Sequence, residues 1–187
     1  MDEPKVFLIG GGEIISRETE EIDRAALAAR KKSGAIVFVG AAANDSESYY
    51  ECFKNYYASM CDEKDFVMLK STTSAKEARE VLLGASLVYF GGGSTEVLYD
   101  VIQKWGGKQL LEDALENDVI LAGLSAGAYV LAKEWRHFED GKVETGPGFG
   151  LADITIECHS TDDSRKAIAE QTDENFIPLR NCEYYSC

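Results

Sequence analysis

Ser125 has the clearest chemical setting in this 187-residue chain. It is the centre of Gly123-Leu124-Ser125-Ala126-Gly127, which follows the apolar run Val119 to Ala122 and precedes the Ala-, Leu- and Val-rich stretch Ala126 to Trp135. The apolar run predicts a buried strand and the stretch after the glycine predicts a helix over 126–135. Strand, Gly-X-Ser-X-Gly, helix is the layout of a nucleophile elbow, in which a sharp turn lifts the serine out of the sheet. The flanking glycines leave room for the turn and for a substrate. A helix N-terminus adds free N–H groups where negative charge develops during acyl transfer.

A serine nucleophile needs a base, and the chain has two histidines, His137 and His159. His159 follows a predicted strand, Ile154 to Glu157, so it should meet Ser125 across the carboxyl edge of a sheet. An orienting acid between serine and histidine is expected among Glu134, Glu139, Asp140 and Glu144, and spacing alone does not choose. For an oxyanion hole, the N–H of Ala126 is one expected donor. The second falls to Gly92 or Gly93, since three glycines in a row exceed the needs of a turn.

The elements that must position these groups alternate. Strands are expected at Lys5 to Ile9, Ala35 to Val39, Phe66 to Leu69, Leu87 to Phe90 and the elbow strand. Helices are expected at Ser16 to Lys32, Tyr49 to Met60, Ser74 (as cap) to Leu83, Thr95 to Lys104 and Gly107 to Glu116. After the elbow, the pattern predicts the strand at 154–157, a helix at Asp162 to Gln171 and a strand at Phe176 to Leu179. Such alternation predicts one α/β domain over 1–187: a three-layer, mainly parallel sheet with helices on both faces. Ligand sites in such sheets lie beyond the carboxyl ends of the strands. The Gly10-Gly11-Gly12-Glu13 turn falls there as well; with Ile15 where a third spaced glycine belongs, it is expected to edge the site rather than bind a dinucleotide.

Composition narrows the partners. A formal net charge of −14 disfavours nucleic acid and anionic membrane surfaces. No apolar run reaches membrane-spanning length, and Met1-Asp-Glu-Pro-Lys does not read as a signal peptide. Five cysteines without a CxxC pair suit free thiols in a cytoplasmic protein and not a zinc site.

Taken together, Phe90-Gly-Gly-Gly-Ser94, Ala122-Gly-Leu-Ser125-Ala-Gly-Ala128 and His159 after a strand resemble the peptidase E family of serine peptidases. That family includes the aspartyl dipeptidases and, more distantly, cyanophycinase. The resemblance, from about Lys5 to Leu179, implies a fold akin to class I glutamine amidotransferases, with serine in the place of cysteine. It implies Ser125 as nucleophile and His159 as base. It favours Asp140, which stands ahead of Gly148-Phe149, as the acid. Arg165, with Lys166 as alternative, is implied as the group that receives an acidic substrate side chain. The implied partners are a small peptide, such as one with an N-terminal aspartate, and at most a second copy of the chain. No metal or organic cofactor is implied. Two departures accompany the resemblance: the segment after His159, Ser160 to Lys166, lacks the phenylalanine or tyrosine that many relatives carry beside the histidine, and the chain stops at Cys187 where relatives continue, so a shortened or divergent C-terminal end is expected.

Overall fold

The computed structural model describes residues 3–169 and 175–187. Its main sheet is built from β1 (Val6–Ile9), β2 (Ile36–Val39), β3 (Phe66–Leu69), β4 (Leu87–Phe90) and β5 (Ile120–Leu124). These five are parallel, and β10 (Tyr184–Ser186) adds an antiparallel edge, in the order β10-β1-β5-β4-β2-β3. β1, β2, β4 and β5 are buried on both faces, so they read as unbroken apolar runs.

Side-chain alternation splits the sheet into two cores. Leu8, Val37, Val39, Val88, Phe90 and Leu121 lie on the face covered by α3 (Ala75–Gly84), α4 (Thr95–Trp105), α5 (Gly107–Glu116) and α6 (Ala126–Leu131). Phe7, Ile9, Ile36, Phe38, Leu87 and Tyr89 face α1 (Glu20–Ala28) and α2 (Glu47–Ala58). Three helices start on serine caps: Ser46, Ser74 and Ser94 accept the N–H of Tyr49, Glu77 and Val97 at 3.3, 3.2 and 3.3 Å. Among the described residues no helix is long and apolar enough to cross a membrane.

The sequence pattern fails in the stretch after the elbow. The helix expected to run to Trp135 stops at Leu131, and Ala132–Glu139 forms β6. Phe149, Leu151 and Gly150 donate their N–H groups to the carbonyls of Val130, Leu131 and Ala132 at 2.7, 2.9 and 2.8 Å, which closes the helix end. β6 pairs antiparallel with β7 (Lys142–Pro147) and parallel with β8 (Ala152–Glu157), and β9 (Phe176–Pro178) completes a second sheet of order β7-β6-β8-β9. The last helix, α7, is described over Asp162–Ala169; residues 170 and 171 of its expected span lie outside the described residues.

Two buried polar groups on the α1/α2 face differ in kind. Asp23 accepts hydrogen bonds from Thr19 Oγ1, Tyr56 Oη and Tyr57 Oη at 2.7, 2.8 and 2.6 Å. Burial pushes its carboxyl above the ordinary value, against the pull of those hydroxyls. Tyr89 Oη is buried without a partner among the described residues. Tyr89→Phe should therefore leave stability unchanged or raise it by up to about 1 kcal/mol, whereas Asp23→Ala, which strands three hydroxyls, should cost on the order of 3 kcal/mol. Urea unfolding measures both, and a loss above about 1 kcal/mol for Tyr89→Phe would mean that its hydroxyl is satisfied.

Candidate active site

Ser125 sits at φ 52° and ψ −108°, a backbone conformation that a non-glycine residue holds only when its surroundings impose it. The imposing contacts are backbone. Its N–H donates to the Ile9 carbonyl at 2.9 Å, and its carbonyl accepts from Tyr129 N at 3.0 Å. The two glycines of the motif serve packing: a Cβ on Gly123 would overlap the Gly127 carbonyl, and one on Gly127 would overlap the Phe90 carbonyl of β4. Strand and helix can therefore meet at the elbow only through bare backbone.

His159 follows β8 and has φ 54°. Its N–H donates to the Gly10 carbonyl at 2.8 Å, which brings it over the end of β1. There Nε2 lies 2.8 Å from Ser125 Oγ. On the other side Nδ1 lies 2.7 Å from Asn181 Oδ1. A carboxamide oxygen can only accept, so Nδ1 carries the proton and Nε2 is free to accept the Ser125 hydroxyl proton. Asn181 comes from the turn before β10, where Cys182 N donates to the Gly11 carbonyl at 2.9 Å. Gly11 has φ +147°, and any Cβ there would overlap Asn181 Oδ1 and the imidazole.

Asn181 is the partner of His159 Nδ1 that sequence reasoning missed, and it stands where Asp140 was expected. Asp140 and Gly141, at φ 50° and 77°, form the two-residue turn of the β6–β7 hairpin, with Glu139 paired to Lys142. An Asp-Gly pair is a preferred sequence for that turn, and this was the signal available. Asp140 is exposed there, and the partner of His159 Nδ1 is Asn181 instead. The other acids do not take the place either. Glu134 pairs with Arg136 at 3.2 Å, Glu139 lies 3.9 Å from His137 Nε2, and Glu144 lines a cavity beside Ser125.

Arg165 is also placed differently from the expectation. Its Nε donates to Ser160 Oγ at 3.1 Å, one of its terminal nitrogens donates to the Pro178 carbonyl at 3.4 Å, and the guanidinium lies 3.6 Å from Glu183. It lines neither cavity at Ser125. Lys166, exposed, lies 4.0 Å from Asp163. Of the expected oxyanion donors, Ala126 opens α6 directly after Ser125. Gly92 adjoins it: a Cβ built there would stand 3.6 Å from Ser125 Cβ. The Gly92 N–H points to Tyr49 Oη at 3.4 Å, whereas Gly93 is glycine because α4 closes on the Ala42 carbonyl. Cys158, beside His159, is fully buried with its thiol pushed up by that burial, so it is no rival nucleophile.

Two cavities open at the Ser125–His159 pair. One, of about 490 Å³, runs between the Gly11–Ile15 turn and the start of α2. The other, of about 320 Å³, lies between the start of α4 and the β6–β7 hairpin and includes Glu96, Trp135, His137 and Glu144. No group of three or more His, Cys, Asp or Glu side chains suited to a metal ion occurs among the described residues.

A parallel sheet with a serine elbow at its carboxyl edge, facing a histidine from a following strand, defines a class of α/β proteins. The chain belongs to peptidase family S51, whose family model matches residues 6–181. It is 28% identical over 141 residues to the uncharacterized peptidase YgaJ of Bacillus subtilis (strain 168), a match covering 74% of this chain and 58% of that protein. Two solved structures share the fold. A peptidase from an acI-B1 Actinobacterium superposes with a TM-score of 0.63 at 22% identity, over 100% of this chain and 85% of the other. A protein from Listeria monocytogenes EGD-e assigned to peptidase E gives a TM-score of 0.66 at 16% identity, over 97% and 93%.

The bonds of Arg165 generate a prediction. Arg165→Met should lower stability by about 1 kcal/mol, because it unties α7 from the 178–183 segment. It should leave the relative handling of acidic and neutral substrates unchanged. A change in that ratio, measured with matched peptides, would return Arg165 to the substrate site.

Proposed function

We propose that this protein is a serine-type peptidase acting on small peptides, with Ser125 as nucleophile, His159 as general base and Asn181 as the orienting group. The observation that carries the reading is the continuous chain from Ser125 Oγ to His159 Nε2 at 2.8 Å and from Nδ1 to Asn181 Oδ1 at 2.7 Å. Membership of family S51 supports it. Ser125 Oγ attacks the scissile carbonyl as its proton passes to Nε2. The N–H groups of Ala126 and Gly93 are the donors offered to the developing oxyanion, since the Gly92 N–H is directed at Tyr49 Oη. His159 then protonates the leaving amine, and a water activated by the same imidazole releases the acyl group.

An amide in the third position fixes the imidazole without adding charge. Asn181 holds the tautomer but gives the imidazolium no neighbouring anion.

Ser125→Ala should abolish peptide hydrolysis. Asn181→Ala should lower kcat by about ten- to a hundredfold through lost orientation of the base. Asn181→Asp should restore activity and move the acid limb of the kcat/KM profile to higher pH, because a carboxylate beside the ring favours imidazolium. An acid limb that stays in place in Asn181→Asp would remove Asn181 from the reading, and hydrolysis by Ser125→Ala would remove the nucleophile. A second reading, a binding protein on the same fold, predicts no turnover by the native chain.

A further inference from the structure

The resemblance to aspartyl dipeptidases led to the expectation of an acidic substrate, but the surroundings of Ser125 have different chemistry. The floor and walls of the cavity of about 490 Å³ include Ile14, Ile15, Leu124, Tyr49 and Cys52. Ile14 is 4% exposed and packs into the α1/α2 core, so it is a fixed wall. Ile15 is 77% exposed at the rim, where its aliphatic face is open to a ligand in the cavity. The Tyr49 phenol is pushed up to about 12 by burial, so that wall stays neutral.

Charge at the rim has the wrong sign for an acidic side chain. Besides His159, Tyr49 and the Cys52 thiol, the ionisable side chain lining this cavity is Glu13. The nearest hollow on the same rim brings in Arg17, but Arg17 is held by Glu20 at 2.6 Å and by Ser59 at 3.1 Å, with its guanidinium 5.2 Å from the Tyr56 ring centre. The cavity on the other side of Ser125 adds Glu96 and Glu144. Arg165 lines neither cavity, as described above.

We propose that the larger cavity is a specificity pocket for an apolar side chain of the substrate, so that the preferred class is peptides with a leucine- or phenylalanine-like residue beside the scissile bond and not aspartate. The inference rests on Ser125 being the nucleophile, since that fixes the pocket at the reacting centre. A cavity of this volume accommodates either side chain with room for adjoining backbone. Covering Ile14, Leu124 and the exposed face of Ile15 removes apolar surface from water on both partners. Full burial of a leucine-sized group corresponds to about a ten- to a hundredfold advantage over a side chain that gains nothing there.

The test uses dipeptides that carry Leu, Phe or Asp on either side of the scissile bond. With the native protein, kcat/KM for the Leu or Phe peptides should exceed that for the matched Asp peptides at least about tenfold at one of the two positions. Cys52→Arg, which places a cation on the pocket wall, should shift that ratio toward Asp by about tenfold or more. Ile15→Ala, at an exposed position where folding is not at stake, should lower the rate for the Leu and Phe peptides more than for the Asp peptides. Calorimetric binding of the same dipeptides to Ser125→Ala reports on the pocket independently of turnover. Apolar peptides binding tighter there would support the pocket even if the native protein hydrolysed nothing, which would overturn the peptidase reading alone. A preference for Asp at both positions, or ratios unmoved by both variants, would overturn the pocket.

Discussion

Three successive carbonyls at the end of β1 hold the candidate site together. Ile9 accepts the N–H of Ser125, Gly10 that of His159, and Gly11 that of Cys182, at 2.9, 2.8 and 2.9 Å. Ser125, His159 and Cys182, the residue beside Asn181, come from three separate parts of the chain, yet each is tied to the same short stretch of backbone. Backbone bonds of this kind fix position more tightly than side-chain contacts, because neither partner has a rotamer to lose. The glycines are part of the same constraint. At Gly10 a Cβ would overlap the Arg180 carbonyl, and at Gly11 it would overlap His159 and Asn181. The small residues of the turn that follows β1 let the C-terminal segment lie against the histidine.

Much of the main sheet was legible because each parallel strand is a short apolar run followed by a helix, three of the helices opened by a capping serine. Ser125 and His159 were legible for the same reason: both sit just beyond the carboxyl ends of strands, where the alternation put them. The stretch 132–147 was not. Trp135, Arg136, His137 and Phe138 suit a helix or a strand by type, and only the pairing with 142–147 and 152–157 decides for the strand. Asp140-Gly141 was read for its carboxylate although the pair also encodes a hairpin turn. Asn181 was hidden by distance in sequence. It follows the histidine by 22 residues and reaches it only because β10 pairs antiparallel with β1, an edge pairing that three residues of sequence do not announce.

Asn181 accepts from the imidazole without adding charge, and the larger cavity beside Ser125 is lined by Ile14, Ile15, Leu124 and a neutral phenol, with Glu13 as its carboxylate. Arg165, the residue that would have argued for an acidic substrate, instead ties α7 to the segment that carries Asn181. Family membership and local chemistry therefore speak to different questions: the first to the elbow and its base, the second to what lies around them.

The central claim is that His159 activates Ser125. Reaction of the intact protein with a fluorophosphonate, followed by peptide mass analysis, measures this directly. The account predicts a single adduct on Ser125, formed about a hundredfold or more slowly in His159→Gln and at nearly the native rate in His137→Gln. Labelling at another residue, no labelling at all, or a His159→Gln variant that reacts as fast as the native protein would contradict it.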